Sequence, residues 1–307
     1  VNKTPTPEGT NGRDPNHHHP PTEVESVAPP TEESWRDWPW ALWYRQTMAI
    51  LRLEIKRNFL GRRLIAVYFL SLAPISLLVL RALLPLHESE LGNPGKASVV
   101  FAILYQAFTL RLAIFFGCVA IFTNLFRGEV MEKTLHYYLL SPVQREVLVL
   151  GKYLSGVISA ITFFGLSTAA CYFLLYAPYG WTFMEEHFTK GPGMSHLFAY
   201  LVVSLLACLG YGAVFLGIGL YVRNPIVPAG LILIWESFNF LLPPILQKIS
   251  VIHYLQSICP VSLPAGPLAI MTEPTSPWIS VPGLLGVIIL VILASSLRVK
   301  TLEITYG

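Results

Sequence analysis

The stretch LIAVYFLSLAPISLLVLRALL, residues 64–84, decides the fold class. Its 21 residues carry one charge, Arg81. At about 1.5 Å per residue a helix of that length matches a hydrocarbon core of about 30 Å. Pro74 at mid-span predicts a kink, because proline removes a helical N–H and crowds the preceding turn. Five comparable segments follow, at about 98–126, 147–176, 195–222, 226–246 and 281–297. Of the 307 residues 53% are hydrophobic and 13% charged, against about 25% charged in soluble domains. The expectation is an all-α integral membrane protein of six transmembrane helices. Backbone groups in lipid must be satisfied internally, and the short alternating segments of a β-barrel are absent.

The flanking segments differ in kind. Residues 1–34 hold Pro, Glu, Thr and Asn with almost nothing to bury, which predicts a disordered Pro-rich cytoplasmic tail with no apolar core of a signal peptide. His17, His18 and His19 read as a solvated tract, with metal binding as the alternative. Residues 35–63 predict an amphipathic interfacial helix. Trp40, Tyr44, Met48, Leu51, Ile55 and Phe59 form its apolar stripe, beside Arg45, Arg52, Lys56 and Arg63. With the N-terminus inside, six crossings leave sixteen of the 21 Lys and Arg residues on the inner side. The positive-inside rule therefore predicts both termini cytoplasmic. The net charge of +3 gives no reason to expect nucleic acid. The four cysteines lack metal-ligand spacing and read as small apolar residues.

Between the second and third apolar segments lies FRGEVMEKTLHYYLLSPVQREVLVLGKYL, residues 126–154. Phe126, Val130, Leu135, Tyr138 and Leu139 fall on one helical face, with Arg127, Glu129, Glu132, Lys133 and His136 on the other. A short cytoplasmic helix is expected over about 126–141. Ser141, Pro142 and Gln144 then read as N-cap, N1 and N3 of the next helix, a capping box with a pre-set first turn. Such a surface helix joined to two spans can receive force from a soluble partner; the plainer alternative is a loop anchor.

The ordered run Glu129, Glu132, Lys133, Thr134, Leu135, Leu139, Leu140, Ser141, Pro142, Arg145, Gly151, Lys152 resembles the signature of type-2 ABC transporter permeases. The motif match covers about 126–152; the architecture agrees over about 40–305. Lys133 stands where the family has Gly, and the Pro-rich tail is not a family feature. The resemblance implies a dimer with a second permease copy or paralogue, and a separate nucleotide-binding ATPase subunit that holds ATP and Mg. The helix after span two is then the coupling helix. On this resemblance Glu129, Glu132, Thr134 and His136 face the ATPase, and Ser141, Pro142 and Arg145 shape the corner. It also implies export or flipping of cargo across a bacterial inner membrane. The chain itself lacks GxxxxGK[ST]: Glu146 precedes Gly151-Lys152 where glycine is needed, and Tyr153 follows. No cofactor and no enzymatic activity are expected in this chain.

Two charges stand deep in the apolar segments. Arg111 in the second and Glu236 in the fifth would each cost at least about 2.5–3.5 kcal/mol unpaired at mid-bilayer. Their similar depth predicts an ion pair or a shared polar cavity, and related permeases line their conduit with these two spans. Gly151, Ser155 and Ser159, and the glycines of the fourth segment, predict close helix approach, within one subunit or at a dimer seam. The proline-broken stretch of about 243–280 predicts an outer re-entrant region. Glu185, Glu186 and His187 read as an exposed turn, with cation binding as the alternative. A membrane anchor that transports nothing competes with the permease reading. An intramembrane enzyme is disfavoured because no paired His or carboxylates recur at helical spacing within the spans.

Overall fold

The computed structural model describes residues 40–61, 65–83, 94–131, 144–222, 224–239, 243–247, 249–261 and 276–300. All regular structure among them is helical. The chain runs α1 (Trp40–Leu60), α2 (Ile65–Leu83), α3 (Pro94–Leu104), a π-helical segment (Tyr105–Ile114) and α4 (Phe115–Met131). Then come α5 (Arg145–Tyr176), a 3-10 turn (Ala177–Tyr179), α6 (Trp181–Thr189) and α7 (Gly193–Tyr221). Four shorter or terminal helices complete it: α8 (Ile226–Ser237), α9 (Pro244–Gln247), α10 (Val251–Ile258) and α11 (Pro277–Lys300).

Four stretches are long and apolar enough to cross a membrane: Lys96–Phe126, Arg145–Tyr179, Gly193–Tyr221 and Trp278–Arg298. This is an α-helical membrane protein. Two of the six expected spans are shorter. α2 has 19 residues with Pro74 inside it. α8 has 12 residues, about 18 Å of helix, so the expected span at 226–246 is not one continuous helix. It ends at Phe238, and the chain reaches Pro243 and Pro244 before its next helical turn. Proline supplies no N–H to carry a helix forward through that point.

The outward faces explain the composition. Phe69 on α2, Ile226 on α8 and Leu290 on α11 are each about two-thirds or more exposed, a distribution suited to lipid rather than water. α4, α5, α7 and α11 pack together as the core of the unit formed by Ala41–Gly307. Glycines set how closely they meet. A Cβ on Gly219 of α7 would lie 3.0 Å from the Thr123 backbone, and one on Gly212 would overlap the Phe122 ring.

Helix α1 divides its faces between the rest of the chain and the outside. Tyr44 and Met48 are exposed, whereas Ile50 and Glu54 are buried and Asn58 is half-buried. The half-buried Phe59 near its end packs on Phe163 of α5, so part of the expected apolar stripe also meets the protein. Residues 185–187, expected as an exposed turn, belong to α6. The tail of residues 1–34 lies outside the described residues.

The Lys152 junction and the Glu236 cap

Glycine at 151 starts the first site. A Cβ there would lie 3.1 Å from Ile50 Cγ2, so the bare backbone lets α1 settle against α5. One residue on, Lys152 Nζ donates to Glu54 Oε1 at 2.5 Å, with both side chains buried. The same ammonium donates to the Leu125 carbonyl at 3.3 Å and lies 5.5 Å from the centre of the Phe126 ring. One side chain therefore ties α1, α4 and α5 together. Two turns further, Asn58 Nδ2 donates to Ser159 Oγ at 3.3 Å. The Phe59 and Phe163 rings follow at 5.0 Å. The row Gly151, Ser155, Ser159 is thus the seat of α1 within one chain.

Of the residues quoted for the family resemblance, Gly151 and Lys152 belong to this junction. α4 runs unbroken through Phe126 to Met131, so the segment expected as a separate helix begins as the end of span two. Glu129 lies on that last turn. Glu132, Thr134, His136, Ser141 and Pro142 lie outside the described residues. Arg145 is the first residue of α5, because Gln144 is the N-cap. That differs from the expected capping box. Gln144 has extended backbone (φ −63°, ψ 134°) and its carbonyl accepts the Leu148 N–H at 3.1 Å. It therefore cannot occupy the third position of a helix begun at Pro142. Glu146 in the first turn favours the later start through the helix dipole.

Glu236 forms the second site, without Arg111. Its Oε2 accepts the Tyr211 hydroxyl at 2.6 Å and its Oε1 the Ser250 hydroxyl at 3.4 Å. It also accepts the Ile252 backbone N–H. Ser250 is the N-cap of α10, so the carboxylate of α8 caps the N-terminus of a helix that follows it. Arg111 exerts a favourable electrostatic pull on Glu236 but makes no ion-pair contact with it among the described residues. The sequence reading missed Tyr211, Ser250 and Glu54. Glu54, the lone acid between Arg52 and Lys56, was the available signal for the first site; hydroxyls within apolar helices gave none for the second.

On α6, the His187 ring stacks 5.6 Å from Phe183 and sits 4.6 Å from Tyr176. Its Nε2 is buried with no hydrogen-bond partner among the described residues. Burial, then the nearby His196, holds this imidazole below its ordinary 6.5. Among the described residues no three His, Cys, Asp or Glu side chains converge as metal ligands. No family model, no curated protein and no solved structure matches the chain.

Proposed function

We propose that the chain is the transmembrane permease subunit of an ATP-driven transporter of the type-2 ABC class, an exporter or flippase. The observation that carries this reading is the Lys152 junction. The signature pair Gly151-Lys152 holds the interfacial helix α1 and the end of α4 on one buried ammonium. A push delivered to the segment between α4 and α5 would then reach α1 and α5 together, as a permease driven by a soluble motor requires.

The rest of the reading follows the resemblance. Six crossings use α2 and the broken α8–α9 region beside the four long spans, and α10 is the re-entrant element. Both termini are cytoplasmic, in a bacterial inner membrane. Two copies, or a copy and a paralogue, form the conduit. Glu129, Glu132, Thr134 and His136 meet the ATPase, which holds ATP and Mg. The test is gentle purification of the full chain from its own membrane. The expected result is a co-purifying ATPase of about 25–35 kDa, the scale of a one- or two-domain subunit. It should be lost when Glu129 and Glu132 are both changed to Lys. A chain that purifies with no nucleotide-binding partner would end the proposal.

A further inference from the structure

Arg111 stands at the midpoint of the Lys96–Phe126 stretch. It lies within the π-helical segment Tyr105–Ile114, ten residues long. π-Helical geometry is rare and concentrates at functional positions, because it costs backbone regularity. Here it rotates the residues that follow, and the buried set Tyr105, Gln106, Thr109, Leu110, Ala113 and Ile114 leaves Arg111 at the edge of the outward face. Leu112 and Phe116 beside it are exposed.

The guanidinium has no hydrogen bond and no ion pair among the described residues. Glu236, the carboxylate on which Arg111 exerts its pull, already takes Tyr211, Ser250 and the α10 N-terminus. Five N–H donors in a planar fork therefore stand halfway along an apolar stretch long enough to cross a membrane, beside exposed Leu112 and Phe116. An arginine there is costly unless an anion or water meets it. A structural arginine would be satisfied by its own chain, and among the described residues this one is not.

We propose that Arg111 is the docking residue for the oxyanion of an amphiphilic cargo, its phosphate or carboxylate gripped by the guanidinium and its apolar body lying along Leu112 and Phe116. The fork geometry suits a two-oxygen anion, which a lysine would hold only as a point charge. The proposal rests on the permease reading for the word cargo. The binding itself does not depend on an ATPase, so the two can fail separately.

The experiment uses the full chain in nanodiscs of zwitterionic lipid. Three probes are titrated: phosphatidylglycerol, laurate and inorganic pyrophosphate. Retention of the lipid and the fatty acid is read by native mass spectrometry, and pyrophosphate is read as a competitor. The expected result is binding of at least one amphiphilic anion that weakens about tenfold or more in R111Q, the scale of one lost charge-assisted contact. R111K should fall between the two. Competition by pyrophosphate would assign the recognition to the phosphate group; loss of laurate binding alone would assign it to a carboxylate. Equal retention of every probe by wild type, R111Q and R111K overturns the proposal. So does a change in subunit stoichiometry in R111Q with anion binding intact, which would give Arg111 to a second copy of the chain. If R111Q does not fold, R111K against wild type decides, because it keeps the charge and loses only the fork.

Discussion

Lys152 Nζ lies 2.5 Å from Glu54 Oε1, and the two side chains, ninety-eight residues apart in sequence, are shielded from solvent together. A buried pair is poor evidence of net stabilisation, since desolvation offsets most of the attraction. What it does guarantee is dependence. Leaving one charge buried alone costs about 3–5 kcal/mol, whereas replacing both with apolar groups of similar volume costs far less. Lys152→Met should therefore lower the melting temperature of the purified chain sharply, and Glu54→Met/Lys152→Met should recover most of the loss. The check is scanning fluorimetry of both singles and the double. Additive losses would mean that the two residues do not depend on one another.

The Glu236 cap gives a second double-mutant cycle. Tyr211→Phe removes a hydrogen bond to a charged acceptor, worth about 1.5–3 kcal/mol. Glu236→Gln should reduce the cost of Tyr211→Phe to about 0.5–1.5 kcal/mol, because the amide oxygen still accepts the hydroxyl but without the charge. Arg111→Gln should combine with Glu236→Gln much more nearly additively, as expected of groups not in contact. Denaturation in detergent measures all three couplings. A larger coupling for Arg111 than for Tyr211 would restore the ion pair that the sequence led one to expect.

Much of this was legible from the chain and some was not, for physical reasons. Hydropathy along 98–126, 147–176 and 195–222 located three of the long helices, because a span must be apolar whatever its packing. The same signal overran α8, since Leu241 and Leu242 continue the hydropathy past Ser237, where the helix ends. On α1, periodicity reported that one face is apolar, not that Ile50 and Glu54 beside it are the residues buried against the chain. For Glu54 the local signal was its standing as the lone acid between Arg52 and Lys56; the partner was not readable, because it lies far along the chain. For Arg111 and Glu236, position within an apolar segment was readable; that Glu236 meets Tyr211 and Ser250 was not, because those contacts join residues from separate helices.

The α6 docking should depend on pH. His187 is held below its ordinary 6.5 by burial and by His196, so the docked state favours the neutral ring. The sign follows from proton binding. Above about pH 6.5 both docked and undocked α6 carry a neutral imidazole, and docking is undiminished. As pH falls through that value the undocked state takes up more protons, so docking weakens until the docked ring also titrates. Glu185, Glu186 and Lys190 share α6 or its end and, with His196 across on α7, set the local field. Hydrogen exchange over 181–189 should rise on acidification, and His187→Phe should flatten that response. An unchanged acid response in the variant would move the cause to another group.

Gly219 sets how closely α7 meets α4. A Cβ on Gly219 would stand 3.0 Å from Thr123 Cα and 3.1 Å from its carbonyl oxygen. Both are backbone atoms, which cannot rotate aside as a side-chain tip can. At Gly217 the corresponding contacts are Val291 Cγ1 at 3.3 Å and Ser295 Oγ at 3.4 Å, both side-chain atoms with some freedom to give. Gly219→Ala should therefore separate the helices and cost about 1–3 kcal/mol, the range for overpacking a tight contact. Gly217→Ala, in the same helix, should cost distinctly less and serves as the control for any intrinsic effect of alanine. Melting temperatures of the two variants in one detergent make the comparison. Equal losses would show that backbone contact with Thr123 does not set the spacing of these two spans.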